Sequence, residues 1–193
     1  MTFPSVRDVL DRKIDISFAH LDDNGDGVFE PADALALAWR IVDCAGAPPE
    51  DPRAQAVFAA LAVFWQHIEL TMDLNEDSVV TPGEWRHGAR SAFHTNPAGF
   101  DAGLRPLAEA TLALLDRDGD GRVNAEEFSA YHKAFGVSPA DSRLAFTRLD
   151  RDGSGWLSVA ELLGAWREFY TSDDPDAPGN WLYGDPGYQS TVD

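Results

Sequence analysis

Apolar residues recur at intervals of three and four along three well-separated segments of the chain, which is the spacing of one face of an α-helix. Polar segments rich in glycine and aspartate lie between them. The apolar faces comprise Val6, Val9, Leu10, Ile14, Phe18 and Leu21; Val57, Phe58, Leu61, Phe64, Trp65, Ile68 and Met72; and Leu162, Trp166, Phe169 and Tyr170. The pattern predicts an all-α protein in which amphipathic helices alternate with polar loops.

Four of the polar segments repeat one twelve-residue pattern, and we number them loop 1 (residues 22–33), loop 2 (73–84), loop 3 (116–127) and loop 4 (150–161). Each begins with Asp, has Asp or Asn at position 3, Asp or Ser at position 5, an apolar residue at position 8 and a carboxylate at position 12. This is the pattern of an EF-hand calcium loop. One such segment could be an ordinary turn, but four between helical patterns predict four EF-hands.

The spacing suits a hard divalent cation, which takes six to eight oxygen ligands at about 2.3–2.6 Å. A tight turn gathers the side chains at positions 1, 3 and 5, position 7 offers its backbone carbonyl, and the acid at position 12 closes the site. That acid is expected to face the metal rather than the cap of the helix that follows. The predicted ligands are Asp22, Asn24, Asp26, Val28 and Asp33; Asp73, Asn75, Asp77, Val79 and Glu84; Asp116, Asp118, Asp120, Arg122 and Glu127; and Asp150, Asp152, Ser154, Trp156 and Glu161.

The four loops differ in two positions that matter for affinity. Loop 1 ends in Asp33, whose side chain is one methylene shorter than Glu, and this should favour Mg²⁺ relative to Ca²⁺. Loop 2 has Ser78 at position 6, where a left-handed or strained backbone costs about 1 kcal/mol or more. We therefore expect three to four bound Ca²⁺ ions, Mg²⁺ as a competitor above all in loop 1, and loop 2 as the weakest site.

Turn-rich segments suggest how the helices are grouped. Residues 45–52 read AGAPPEDP and interrupt the first pair of loops, and residues 94–103 are the predicted linker between halves. The sequence thus predicts an N-terminal EF-hand pair over 1–95, a C-terminal pair over 100–170, and an irregular tail over 171–193. Trp181, Leu182 and Tyr183 are candidates to dock the tail on the two lobes.

Charge and composition exclude several function classes. The chain has 193 residues, with 33 acids against 15 Lys and Arg and a formal charge of −18. This excess argues against nucleic acid and anionic membrane as partners, which need a basic face. Thirteen of the acids are predicted ligands, and four Ca²⁺ ions would bring the charge to −10. The five histidines show neither metal nor triad spacing, so no enzyme is predicted, and the ligand set is all oxygen, which disfavours zinc.

Composition also suggests the setting of the protein. The N-terminal segment lacks the apolar core of a secretory signal, and no apolar run is long enough to cross a membrane. A single cysteine, Cys44, fits a reducing cytoplasm. The preference for Arg over Lys hints at a GC-rich bacterial genome. We expect a cytoplasmic monomer.

The whole chain resembles the sarcoplasmic calcium-binding proteins, and within them the calerythrin-like bacterial members. The resemblance rests on the four loops, the wide spacing of the first two, the aromatic helices and the tail segment PDAPGNWLYG at residues 175–184. It implies a compact, all-helical, cytosolic protein that buffers or transports calcium. The second loop is often degenerate in that family, whereas here it keeps Asp73, Asp77 and Glu84.

Three functions remain open at this point. Only two methionines are present, so the Met-rich groove typical of a calcium sensor is lacking, which favours a closed calcium buffer whose folding is linked to calcium. The alternative is a regulatory sensor that binds a partner protein of unknown identity when calcium is bound. A carrier of an apolar, luciferin-type ligand is the third and least expected reading.

Overall fold

Helices account for most of the chain in the computed structural model, which describes residues 6–94 and 97–187, with the side chains of 6–8 and 97–98 excepted. The helices are α1 (Val6–Leu21), α2 (Pro31–Ala45), α3 (Pro52–Met72), α4 (Pro82–Ala89), α5 (Pro97–Gly103), α6 (Arg105–Leu115), α7 (Ala125–Ala134), α8 (Pro139–Leu149) and α9 (Val159–Thr171). A π-helical turn (Arg90–His94) extends α4, and a 3₁₀ turn (Pro178–Trp181) lies in the tail. Two short strands, β1 (Arg122–Val123) and β2 (Leu157–Ser158), complete the fold. The predicted all-α class is confirmed.

Local signals in the sequence explain where several helices begin. Proline occupies the first turn of α2, α3, α4 and α8, where its missing N–H costs no hydrogen bond. The Asp51 side chain accepts a hydrogen bond from the backbone N–H of Arg53 at 2.8 Å, and the Ser138 hydroxyl accepts one from Asp141 at 3.1 Å. Gly46 ends α2 in a left-handed conformation with φ of 71°. The turn predicted at residues 45–52 is therefore built from a C-cap followed by an N-cap.

The helical faces identified in the sequence form one continuous core. Phe18, Ile68 and Phe169, one from each face, are all buried in the same cluster. Phe58 is only partly buried, at the surface between α2 and α3, and Val6 lies among the residues whose side chains are not described. Helices of the two halves pack directly on one another, α3 on α6, α2 on α7 and α1 on α9.

The division into lobes at 1–95 and 100–170 stays a prediction, and residues 1–5, 95–96 and 188–193 lie outside the described parts of the chain. The segment predicted as a linker, 94–103, contains α5, which the sequence did not indicate. At Gly103 a Cβ atom would lie 2.8 Å from the His67 ring, so this connection approaches α3 closely.

A buried lysine joins α1 to the end of α9 and to the tail. The Lys13 ammonium donates to the carbonyl of Ser172 at 2.7 Å, to the side-chain oxygen of Asn180 at 2.8 Å and to the carbonyl of Glu168 at 3.2 Å. Burial lowers the pKa of Lys13 to about 8, although Asp173 and other acids oppose the shift. A cation at the C-terminal end of a helix is favourable, which helps this side chain to remain inside the protein.

The tail packs aromatic side chains against both halves of the core. Leu182 is fully buried, the Arg148 guanidinium lies 4.4 Å from the centre of the Trp181 ring, and Tyr183 contacts Phe169 and His20. Within the described ranges, no helix is long and apolar enough to cross a membrane.

Candidate metal centres

The four predicted loops are arranged as two pairs, joined through the apolar residues at position 8. Phe29 of loop 1 and Val80 of loop 2 form an antiparallel bridge, with both backbone N–O distances at 2.9 Å. In the second pair β1 lies antiparallel to β2, with Val123 opposite Leu157. All four side chains are buried. Each pair of loops is thus held back to back by backbone hydrogen bonds and an apolar contact.

The aspartate at position 1 organises each loop by accepting backbone N–H groups. In loop 3, Asp116 accepts from Gly119 at 2.8 Å, Asp120 at 3.1 Å and Gly121 at 2.9 Å. In loop 1, Asp22 accepts from the equivalent three positions at 2.8–3.1 Å. Because these N–H groups wrap around the carboxylate, the chain folds into a small ring whose side chains at positions 1, 3 and 5 face its centre.

Loops 3 and 4 each bring three carboxylates close enough together to share one cation. One oxygen each of Asp116, Asp118 and Asp120 lies within 4.8 Å of the others, and the same holds for Asp150, Asp152 and Glu161. Two oxygens that share a Ca²⁺ ion at about 2.4 Å are separated by at most about 4.8 Å. The donors are hard oxygens, without sulfur or imidazole, so these sets fit Ca²⁺ or Mg²⁺.

Loops 1 and 2 differ because an amide replaces the carboxylate at position 3. The Asn24 amide donates to Asp26 at 3.0 Å, and the Asn75 amide donates to Asp77 at 2.9 Å. In both loops the side-chain oxygen of the asparagine accepts the backbone N–H of position 5. The predicted ligands at positions 3 and 5 therefore contact each other, with one negative charge fewer than in loop 3.

The acid at position 12 connects the two ends of each loop. The prediction that this acid would face away from the cap of the following helix is wrong. In loop 3, Glu127 accepts the backbone N–H of Asn124 at position 9 and that of Arg117 at position 2, both at 3.0 Å. Asp33, Glu84 and Glu161 make the equivalent two bonds. The acid does not turn away from the cap. A carboxylate has about four lone-pair sites, so it can cap the helix and keep an oxygen free for a cation, and Glu161 does cap its helix while one of its oxygens lies beside those of Asp150 and Asp152.

The surroundings of these acids shift some of their pKa values. Burial raises the pKa of Asp33, while the backbone N–H groups of Glu30 and Asp23 act in the opposite direction. The backbone N–H of Thr81 lowers the pKa of Glu84. The hydrogen bond from the Ser154 side chain lowers the pKa of Asp152.

Position 7 is predicted to supply a ligand through its carbonyl, and in loop 4 that carbonyl has a partner within the loop. The Ser154 hydroxyl donates to the carbonyl of Trp156 at 2.9 Å, so two predicted ligands of this loop contact each other. The Trp156 side chain lies outside the loop, where the Arg122 guanidinium covers it 4.1 Å from the ring centre. Arg122 is position 7 of loop 3, so the stack joins equivalent positions of the two paired loops.

The backbone of loop 2 carries more strain than Ser78 alone indicated. Positions 4 and 6 have positive φ in every loop, and in loops 1, 3 and 4 both are glycine. In loop 2 they are Glu76, with φ of 59°, and Ser78, with φ of 62°. These two are the only non-glycine residues with positive φ in the parts of the chain that the structure describes. The sequence did contain the signal for Glu76, because position 4 is Gly25, Gly119 or Gly153 elsewhere.

Comparisons with known proteins agree with this geometry. The EF hand family matches residues 108–130, which include loop 3. Calerythrin from Saccharopolyspora erythraea is 30% identical over 154 residues, 79% of this chain and 87% of that protein. A structure of a calcium-binding protein from Streptomyces coelicolor superposes with a TM-score of 0.75 at 28% identity, covering 84% of this chain and 98% of that one.

A sarcoplasmic calcium-binding protein from amphioxus has the same fold. Its structure superposes with a TM-score of 0.73 over 93% of this chain and 98% of that one, at 22% identity. The predicted resemblance to this group of proteins, and to its bacterial members, is confirmed.

Proposed function

Because the chain belongs to the calerythrin family of EF-hand calcium-binding proteins, we propose that it is a cytoplasmic calcium buffer whose folding is linked to the ions it binds. The observation that carries the proposal is the grouping of carboxylate oxygens in loops 3 and 4. Loops 1 and 2 also have carboxylates at positions 1, 5 and 12, and an amide takes the place of the carboxylate at position 3. We propose three to four Ca²⁺ sites, with Mg²⁺ competing most strongly at loop 1, where Asp33 closes the ring.

The link to folding follows from charge. Three carboxylates within 4.8 Å repel one another, and a cation between them removes that repulsion only when the loop is folded. When the free calcium concentration is a hundred times the dissociation constant of one site, binding at that site adds about 2.7 kcal/mol to the free energy of unfolding. For a chain of this size that corresponds to a rise in melting temperature of roughly 5–10 °C per site.

The small size of one cavity among the described residues of the core supports buffering over carriage of an apolar ligand. The cavity among the aromatic residues of the core, including His20, Tyr131, Trp166 and Tyr183, has a volume of about 30 Å³. That is the space of about one water molecule, whereas small-molecule sites have volumes of roughly 300–1,000 Å³. Burial also lowers the pKa values of His20 and His132 to about 4, so both imidazoles are neutral at physiological pH.

A second candidate is calcium-mediated regulation, the role for which the Streptomyces coelicolor protein has been described. A specific feature favours it: five large apolar side chains are exposed on or beside α2 and α3, namely Leu35, Trp39, Val63, Leu70 and Leu74. A buffer needs no such surface. The two functions differ in whether that surface changes when calcium binds.

One titration series separates these readings. Calcium is added to the metal-free protein in a calorimeter, with and without millimolar Mg²⁺, and a hydrophobic dye is followed in parallel. A buffer is expected to show three to four calcium sites and no rise in dye fluorescence. At one of these sites the apparent affinity for Ca²⁺ should fall when Mg²⁺ is present. Equal melting temperatures with calcium and with chelator would contradict the linked folding. A rise in dye fluorescence on adding calcium would favour the regulatory reading.

A further inference from the structure

An uncharged groove lies on the outer surface between α2 and α3. It has a volume of about 180 Å³ and is open to solvent on one side. Eight of its nine lining residues are apolar, the ninth is Gln66, and none is ionisable. Phe58 and Trp65 form part of the floor, and Leu35 and Ala62 lie at the exposed edges. In a chain with a formal charge of −18, a surface without an acid is unusual and needs an explanation.

Exposed apolar side chains line and flank the groove on the α2 side. Leu35, one of the lining residues, is 54% exposed and Trp39 is 46% exposed, although α2 buries its opposite face. The Trp39 ring packs edge-on against Phe58 at 4.9 Å, which holds an exposed aromatic side chain beside the groove. Aromatic side chains that are rigid and partly exposed are typical anchors of protein interfaces.

The charges around the groove indicate what would occupy it. Pro31 of the groove directly follows loop 1, and loops 1 and 2 together contain nine carboxylates and no basic residue. Two bound Ca²⁺ ions would leave a charge of −5 on the loops, or −4 when Arg40, which pairs with Asp23 at 3.0 Å, is included. At the other end of the two helices Asp51 is paired with Arg53, and Lys133 is close enough to act on Cys44, next to Asp43. The groove is therefore an apolar stripe with one acidic end, at loops 1 and 2.

We propose that this groove docks an amphipathic helix of a partner protein, one with an apolar face and basic residues flanking it. The apolar face would pack on Phe58, Trp65 and Leu35, and the basic residues would meet the acidic loops 1 and 2. A second copy of this chain fits less well, because it carries the same excess of acidic residues. An anionic membrane is disfavoured by the same charge.

The test uses an 18-residue peptide with leucine on one helical face and lysine elsewhere, and a second peptide of the same composition in scrambled order. Binding to the calcium-saturated protein is measured by calorimetry at physiological salt, which screens long-range attraction between charges. We expect the amphipathic peptide to bind at least tenfold more tightly than the scrambled one, since only the former can present a continuous apolar face.

Three variants locate the binding site. Leu35→Glu and Ala62→Glu place a carboxylate at the edge of the groove, and Leu144→Glu places one on α8, where Leu144 is 44% exposed. All three add the same charge, which by itself should attract the cationic peptide slightly more. We expect about a tenfold or greater loss of affinity in the first two and a change of less than about twofold in the third.

Several outcomes would overturn the proposal. Equal binding of the two peptides, or equal binding to all three variants, would mean that charge alone holds the peptide. A dimer in sedimentation equilibrium that Leu35→Glu converts to a monomer would make a second copy the occupant. Thermal melts monitored by circular dichroism check that each variant folds, and two independent groove variants keep the test decisive if one of them does not. Calcium is saturating throughout, so the result does not depend on the buffering role.

Discussion

The Arg122 guanidinium lies 4.1 Å from the centre of the Trp156 ring and thereby connects loops 3 and 4 at their solvent-exposed side. Both residues occupy position 7, whose carbonyl is a predicted ligand, and the strands β1 and β2 begin at or beside them. We expect a movement of one carbonyl on metal binding to reach the other loop through the stack as well as through the strand pair.

Arg122→Ala should weaken that link. An exposed cation–π contact contributes about 0.5–1 kcal/mol, so we expect a loss of that size in coupling between the two sites. The measurement is a calorimetric calcium titration that fits loops 3 and 4 as an interacting pair. Removing a positive charge near the carboxylates also raises affinity by itself. Arg117→Ala, an exposed arginine at position 2 of loop 3, is the control for that charge effect. Identical cooperativity in the two variants would show that the stack carries no coupling.

Loop 2 should be improved by glycine. Glu76 and Ser78 hold φ values of 59° and 62°, and a left-handed backbone costs a non-glycine residue about 1–2 kcal/mol. We expect Glu76→Gly and Ser78→Gly each to raise the free energy of unfolding by about 0.5–1 kcal/mol, a part of the gain being offset by the greater freedom of glycine in the unfolded chain. Urea denaturation in calcium measures this change.

The control at position 76 separates backbone strain from charge. Glu76→Gln removes the same negative charge and keeps the side chain. If Glu76→Gln stabilises the protein as much as Glu76→Gly, charge repulsion is the cause and the strain argument is wrong. The affinity of loop 2 should rise only in the glycine variants, because the ring is then formed at lower cost before calcium arrives.

Three helical faces and the four loops could be predicted from the sequence, because both depend on residues that are close together in the chain. The spacing of Leu61, Ile68 and their neighbours requires only local geometry, and the loop pattern is read within twelve residues. The loop pattern does not show that the Glu127 carboxylate accepts the backbone N–H groups of positions 2 and 9 of its own loop. Glu161 accepts the equivalent two N–H groups and still lies in a group of three carboxylates.

Other features depend on contacts that no local pattern contains. The acceptors of Lys13 lie 155 to 167 residues further along the chain, so nothing near Lys13 indicates that it is buried. The groove between α2 and α3 likewise depends on how two helices pack. Its lining residues, such as Leu35 and Ala62, come from separate segments of the sequence, so the uncharged surface is not contained in any one segment.

The acid at position 12 of loop 3 should be essential for that site. Glu127→Gln replaces one carboxylate oxygen by an amide nitrogen, which can neither accept a backbone N–H nor bind a cation. We expect at least a tenfold loss of calcium affinity at loop 3, about 1.4 kcal/mol or more, with a smaller loss of stability without calcium. Glu126→Gln makes the same charge change one residue away, at an exposed position outside the predicted ligand set. If the two substitutions lower calcium affinity equally, Glu127 acts only through its charge and the prediction is wrong.

The buried Lys13 should make stability depend on alkaline pH in a specific direction. Burial lowers its pKa from 10.5 to about 8. Between these values the unfolded chain holds a proton that the folded protein has released, so the free energy of unfolding rises with pH across this window. We expect a rise of about 1–2 kcal/mol between pH 7 and pH 9.5 from this group. Urea denaturation at several pH values measures the free energy of unfolding of the parent protein and of Lys13→Met. The difference between the two isolates the effect of Lys13, because the contributions of the other titrating groups cancel.

Lysine occurs at one other position in the chain, Lys133, which is exposed. Lys133→Met is therefore a matched control for Lys13→Met. At pH 7 we expect Lys13→Met to lower the free energy of unfolding by about 1–3 kcal/mol, because the carbonyls of Glu168 and Ser172 and the side-chain oxygen of Asn180 lose their donor. Lys133→Met should change it by less than about 0.5 kcal/mol and leave the pH dependence intact. The same pH dependence in the parent protein and in Lys13→Met would mean that Lys13 does not release its proton in this window.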